Sequence, residues 1–279
     1  MNYLQTGICH LFETIASSIW DKISINNKRG LSITEESITR NDVISEIQNF
    51  TDSNEYFNVF AQKSKKEVIT GSDLEIYIEV GNRKFVRILL QAKILKPNNK
   101  FETLNKKSGS SDQFQFDTLE KYSNSINSES FFIFFTGIPF YKKNDFRDCK
   151  GLHDEKQFGC SLLTNQEIKE LNNFGTASSY KINTPIGKPW RMLTCCYNSN
   201  LNSRKTYSPN EIDADPYFKK IFDRDWSNFK GVSDNVLQNI VEDNRYLHNQ
   251  GWNPSNRIIL AENMKMDKEN NIIKFINNY

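Results

Sequence analysis

Leu4, Ile8, Leu11, Phe12, Ile15, Ile19 and Ile23 recur at steps of three and four residues. That spacing predicts a helix over residues 3–25 with one apolar face. The polar run Asn26-Asn27-Lys28-Arg29-Gly30 ends it. A second helix is predicted over 33–50, where Ser32 and Glu35 have the spacing of a capping box ahead of Val43, Ile44 and Ile47. The period then shortens. Tyr56–Gln62 reads as a strand, Lys63–Lys66 as a polar turn, and Gly71–Leu95 as two apolar runs around a Gly-Asn turn. Residues 112–127 read as a helix, and Ser130–Thr136, with Phe131, Phe132, Phe134 and Phe135, as a buried core strand rather than a base-stacking platform. Phe158–Leu163 is a further strand, followed by a capping box at Thr164 and Glu167 that opens a helix to about Phe174. Residues 198–210 are rich in Asn and Ser and read as a loop or linker. Helices are predicted at 210–223 and 232–246, and weaker strands at Ile258–Ala261 and Ile272–Ile276. Mixed helices and strands predict an α/β or α+β class, with a domain over 1–197 and a helical C-terminal extension over 198–279 that packs on the core or forms a small lobe.

The 71–95 segment carries more information when read by parity, because strand side chains alternate between faces. Leu74, Ile76, Ile78, Val80 and Val86, Ile88, Leu90, Ala92 form one wholly apolar set. Asp73, Glu75, Tyr77, Glu79 and Phe85, Arg87, Leu89, Gln91, Lys93 form the other. Both apolar sets share a face only if even residues pair with even residues. A three-residue loop, Gly81-Asn82-Arg83, achieves this and sets Asp73 opposite Gln91; a five-residue loop sets Asp73 opposite Lys93. A two-residue loop splits the apolar faces. Either surviving register gathers Asp73, Glu75, Gln91 and Lys93 on one face, with directly opposed Cβ atoms about 5 Å apart. One reading is a solvated face with a cross-strand ion pair. Against it, Phe85 and Leu89 share that face, and Ile88-Leu89-Leu90 is apolar on both sides. A strand buried on both faces is expected, with its terminal charges partly desolvated.

Composition narrows the class. Of 279 residues, 37% are apolar and 25% charged, enough for a sizeable core, and the net charge of +2 gives no support to a uniformly basic, charge-driven nucleic-acid binder. The first residues carry no positive segment and Glu13 interrupts their apolar run, so no signal peptide is expected. No apolar run approaches the roughly 20 residues that span a bilayer. Five cysteines are too few and too scattered for a disulfide framework, which favours a reducing cytoplasm. Cys149, His153, Cys160, Cys195 and Cys196 match no common zinc spacing and read first as ordinary thiols. A complete phosphate-binding Gly-rich loop and a His-Glu-x-x-His motif are absent, and three histidines leave few candidates for His-centred catalysis.

An Asp on one strand facing Gln-x-Lys on the next suits phosphodiester cleavage. Oxygen ligands hold a divalent cation, and a nearby Lys stabilises developing charge and positions or deprotonates water. Gly71-Ser72-Asp73 with Gln91-Ala92-Lys93 resembles the PD-(D/E)xK, restriction-endonuclease-like nucleases, in the variant with Gln in place of the second acid. The resemblance implies an α/β fold with a restriction-endonuclease-like core, a central mixed sheet flanked by helices, and a site of Asp73, Gln91 and Lys93. It implies Mg²⁺ or Mn²⁺ held by Asp73, Gln91 and a helix acid. Glu36 is the first candidate for that acid and Glu35 the alternative; both also suit the start of a helix. Glu67 and Glu75 are supporting candidates, although Glu67 also fits a solvated turn. Gln115 is a further candidate, because a polar residue on the helix after the Lys strand can approach the site; a solvated helix position is its plain reading. Lys63, Lys65 and Lys66 are candidate contacts for a phosphate backbone, or a solvated turn.

Glu67-x-x-Thr70-Gly71-x-Asp73-x-Glu75 with Gln91-Ala92-Lys93 is similar to a family of uncharacterised bacterial proteins suspected of phage-defence roles. The looser likeness, through Gln115, Gly159–Leu163 and Pro189-Trp190, reaches about residue 200. It implies a cytoplasmic nuclease acting on nucleic acid, DNA ahead of RNA, with a defence-system protein or a second copy as candidate partners and no membrane role. The neutral Gln91 keeps open the alternative of a weak or inactive nuclease fold that serves as a binding subunit.

Overall fold

The structure is a computed structural model that describes residues 3–53, 59–81, 84–102, 113–138, 147–148, 151–152, 154–173, 179–181, 187–195, 204–213, 264–267 and 272–275. The chain divides into two compact units, Leu4–Asn228 and, with Met1–Tyr3, Phe229–Tyr279.

In the larger unit, α1 (Tyr3–Lys28) follows the predicted helical period. The second predicted helix is instead a composite of α2 (Glu35–Ser37), a π-helical stretch over Ile38–Ile44, and α3 (Ser45–Ser53). The wider turn places Ile38 and Val43, five residues apart, together in the core with Thr39 and Ile44. The cap is Thr34, whose hydroxyl accepts from the Ser37 amide at 3.2 Å, not the expected Ser32–Glu35 box. Lys22 clamps Asp42 of the π stretch to α1 with bonds of 2.8 and 2.9 Å.

Next come β1 (Val59–Lys63), α4 (Glu67–Thr70), β2 (Leu74–Gly81), β3 (Lys84–Ile94) and β4 (Lys100–Glu102). They are followed by α5 (Gln115–Ser125), β5 (Glu129–Phe135), β6 (Arg147–Asp148) and β7 (Gly151–Leu152). A 3-10 turn at Glu155–Gly159 leads to β8 (Cys160–Leu163), α6 (Asn165–Asn173), β9 (Ser179–Lys181), β10 (Lys188–Pro189), α7 (Met192–Cys195) and β11 (Thr206–Tyr207). The central sheet has seven strands in the order β1-β2-β3-β5-β8-β10, with β11 added against β3 at Val86 and Phe85. The β3–β5 pair is parallel and the others antiparallel, so the sheet is mixed. Outside it, β4 pairs with β9 and β6 with β7.

The β2–β3 register sets Leu74 against Leu90, Ile76 against Ile88 and Ile78 against Val86, the even-with-even pairing expected of the three-residue loop. It shifts only next to the turn, where Gly81 faces Lys84; Asn82 and Arg83 lie outside the described residues. The even face packs on α1, the π stretch and α3 through Phe12, Ile15, Ile19, Ile38, Val43 and Ile47. The odd face packs on α5 and α6, where Leu89, Phe132, Phe134 and Leu163 meet Phe116, Leu119 and Ile168. Thus β3 is buried on both sides, and the Phe-rich β5 is a core strand. Phe134 sits edge-on to Phe101 with ring centroids 4.5 Å apart. The second capping box forms as its sequence requires: Thr164 and Glu167 bond each other's amides at 2.7 and 3.2 Å.

Thr206–Tyr207 joins the main sheet, so residues 204–213 pack on the α/β body. Its hydroxyl anchor is Tyr207, which donates to the Ile126 carbonyl at 3.4 Å. Cys9 is disulfide-bonded, whereas Cys160 is a buried free thiol pushed up by burial. In the smaller unit the described residues form an antiparallel pair, β12 (Met264–Asp267) and β13 (Ile272–Phe275), the second on the predicted strand. The predicted helix at 210–223 beyond 213, the helix at 232–246, the strand Ile258–Ala261, and the residues Cys149, His153 and Cys196 lie outside the described residues. Among the described residues, no helix is long and apolar enough to cross a membrane.

Candidate active site

Asp73 is the residue before β2, held at both sides by backbone. Its amide donates to the Leu90 carbonyl at 2.9 Å, and its carbonyl accepts from the Ser64 amide at 2.9 Å. Its side chain reaches across to β3, where Oδ2 accepts from Gln91 Nε2 and from the Ala92 amide, the latter at 2.8 Å. Gln91 and Lys93 follow on the odd face of β3, both buried. Lys93 Nζ donates to Oε1 of Gln115 at 3.5 Å, and Gln115 is buried at the first turn of α5. The structure therefore pairs Asp73 with Gln91 and Lys93 with Gln115, two contacts joined along β3 through Ala92, with the Lys93 charge felt at Asp73.

Gly71 makes that convergence possible. It has a left-handed φ of 68°, and a Cβ there would stand 2.7 Å from the Leu119 amide nitrogen and 2.9 Å from the Gln115 carbonyl oxygen. The loop carrying Asp73 thus rests directly on the backbone of α5. Gly71→Ala is expected to cost about 2–4 kcal/mol, because strain at positive φ adds to a clash with backbone that cannot rotate away. Chemical denaturation of the two proteins checks this.

Electrostatically the site is unusual at one carboxylate. Asp73 is pushed up to about 7, first by burial and then by the Glu35 carboxylate; Lys93 and the Ala92 amide oppose this, and Glu67 adds to it. Glu35, Glu67 and Lys93 are therefore the charges that Asp73 senses. Glu36, the first choice for the helix acid, points elsewhere. It lies in an exposed ion pair with Lys63 at 2.9 Å, which holds its carboxyl below the usual range. Glu35, the alternative, is the helix acid whose charge Asp73 senses.

Lys63 and Lys65 are held in ion pairs, with Glu36 and with Asp213 at 2.8 Å. Lys66 is exposed beside the α4 start. Glu75 shares the face but belongs to a separate cluster. Its Oε1 accepts from Arg87 Nη2 at 2.7 Å and Ser64 Oγ at 3.3 Å; its Oε2 accepts from the Tyr77 hydroxyl at 2.8 Å and Gln62 Nε2 at 3.3 Å. Burial alone would push the Arg87 guanidinium down, but Tyr77 and Glu75 beside it hold it above its usual value. Sequence reasoning missed Arg87, Ser64 and Gln62 as partners of Glu75. The signal was a charged residue inside the apolar run of β3, directly across from Tyr77.

The donor set bears on a cation. Among the described residues, no group of three or more His, Cys, Asp or Glu side chains is placed to hold a metal. The buried Gln91 Oε1 nevertheless has no hydrogen-bond partner, while the same amide's nitrogen is fixed on Asp73. A buried carbonyl oxygen left without a donor is costly and fits a hard cation that takes neutral oxygen ligands.

A model for a family of unknown function, DUF6615, matches residues 8–270, which includes every element of this site. The chain belongs to this family. No curated protein matches it. The family description assigns no activity, so the chemistry rests on the geometry above.

Proposed function

We propose that this member of the DUF6615 family is a metal-dependent nuclease of restriction-endonuclease-like fold, in the PD-(D/E)xK class with Gln in the second acid position. The observation that carries the reading is the convergence of Asp73, the unpartnered Gln91 Oε1 and Lys93 on the paired ends of β2 and β3. The mixed sheet between helices and the parallel β3–β5 pair are consistent with that fold. Asp73 and Gln91 Oε1 would hold Mg²⁺ or Mn²⁺, with Glu35 in place of Glu36 as the helix acid. When bound, the cation supplies a Lewis acid for phosphate and lowers the pKa of water. Lys93 is held by Gln115, at the distance above, as a cation beside the reacting phosphate. Gln115 orients that amine, and Lys66 is the exposed lysine available to a phosphate backbone. DNA is the favoured substrate over RNA, in a cytoplasmic setting, with anti-phage defence as the biological role. A second copy of the chain or a defence-system protein would complete a duplex-cutting assembly.

A second reading is a weak or inactive nuclease fold that binds nucleic acid or a protein. The direct bond of the Gln91 amide to Asp73 favours it, because that amide competes with a cation for the carboxylate.

The test is cleavage of plasmid, single-stranded DNA and RNA with Mg²⁺ or Mn²⁺, comparing the chain with Lys93→Ala. Loss of at least about 100-fold in rate is expected in the variant, since a buried charge aimed at the transition state is removed. Equal cutting by both proteins overturns the assignment. No cutting by either, with nucleic acid still bound, supports the second reading.

A further inference from the structure

Glu75 satisfies all four of its acceptor positions within the protein, from Arg87, Ser64, Tyr77 and Gln62. It cannot ligate a cation without giving up one of these bonds. What it anchors is a row of buried hydroxyls. Ser64 Oγ lies 2.9 Å from Thr70 Oγ1, and Ser72 Oγ lies 2.9 Å from Thr70 Oγ1 and 3.2 Å from Ser64 Oγ. All three side chains are buried.

A hydroxyl has one proton, and an ionised carboxylate only accepts. Ser64 therefore donates to Glu75 and Thr70 to Ser64, while the Ser72 hydroxyl faces both Thr70, at the shorter distance, and Ser64. The direction of the whole row is set by the Glu75 charge, and each bond polarises the next. The row ends beside the working carboxylate. Ser72 precedes Asp73 in the chain, the Ser72 amide donates to Thr70 Oγ1 at 3.2 Å, and the Ser64 amide holds the Asp73 carbonyl at 2.9 Å.

We propose that Glu75 acts through the Ser64–Thr70–Ser72 hydroxyl row as a positioning residue, fixing the turn that presents Asp73 to Gln91 and Ala92. The inference deepens the nuclease reading and rests on Asp73 being its working carboxylate. Glu75 thus changes role from a supporting site acid to the anchor of the site's geometry.

The Ala92 amide, which donates to Asp73 Oδ2, reports on that geometry without any activity measurement. Thr70→Val deletes, with little change of shape, the hydroxyl that accepts from both the Ser72 hydroxyl and the Ser72 amide, and Thr70→Ser keeps it. Amide hydrogen exchange followed by NMR on the full chain should show Ala92 exchanging about tenfold faster in Thr70→Val, with Ile88 and Leu90 of the same strand unchanged. Thr70→Ser should match the parent protein at all three amides. If Ala92 changes no more than Ile88 and Leu90, or if Thr70→Ser behaves as Thr70→Val does, the positioning role is overturned. A selective Ala92 response in a chain that cuts no nucleic acid would leave the row standing and remove the nuclease reading. The two failures are therefore separable.

Discussion

Asp73→Asn is expected to make the metal-free protein more stable at pH 8 and to abolish cleavage. Asp73 titrates near 7 in the fold, against 3.8 as its ordinary value. Below about pH 4 the group is protonated both folded and unfolded, and costs nothing. Between about 4 and 7 the folded chain binds the proton more tightly than the unfolded chain, so stability falls as pH rises. Above about 7 the full cost of the buried charge is present. The new amide removes that charge, and its oxygen in the place of Oδ2 accepts from both Gln91 Nε2 and the Ala92 amide. A gain of up to about 4 kcal/mol at pH 8 is expected, shrinking toward zero near pH 4. Denaturant titrations of both proteins at several pH values would read it. A variant that is less stable at pH 8 would mean that Asp73 is held by structure, not kept for chemistry. A site that stores destabilising charge is what function at a buried carboxylate requires.

Arg87→Leu should have the opposite sign and a similar size. The side chains of Arg87 and Glu75 are 14% and 5% exposed and meet at 2.7 Å. Removing the guanidinium leaves Glu75 buried with only neutral donors, which costs about 3–4 kcal/mol. For a chain of this length that corresponds to a drop in Tm of roughly 6–12 °C. Adding Glu75→Gln to the same chain should recover part of the loss, because the uncompensated charge is then gone. Thermal unfolding of the single and double variants is the measurement, with Glu36→Gln as the control. That change breaks only the exposed pair with Lys63 and should leave Tm where it is. If Arg87→Leu also left Tm unmoved, the cluster around Glu75 would be too loosely held to anchor the hydroxyl row.

How far the sequence reached depended on the range of the interaction. The 3.6-residue period of α1, the Thr164–Glu167 box and the period-2 runs of β2 and β3 are local patterns, and each forms as its spacing requires. The register of the hairpin was legible for a related reason. Slipping by one residue would carry Leu74, Ile76 and Ile78 out of the core, so the two apolar sets admit few pairings. That pairing by itself places Asp73, Glu75, Gln91 and Lys93 on one face.

Tertiary structure decided the rest. Glu35 and Glu36 are both plausible in sequence, and only the docking of α2 pairs Glu36 with Lys63 and leaves Glu35 as the helix charge that Asp73 senses. Glu75 shares a face with Asp73, but its partners come from β1, β2 and β3 together, so its assignment to Arg87 and the hydroxyl row required the assembled sheet. The π-helical turn likewise answers to the core, which needs Ile38 and Val43 on one side. Thr206–Tyr207 joins β3 across more than a hundred residues of chain, a contact for which a polar, Asn-rich segment gives no periodic sign. The sequence alone determined the elements and the face on which the chemistry is proposed. The fold determined which acids reach Asp73, because that depends on contacts between segments whose local patterns are silent about one another.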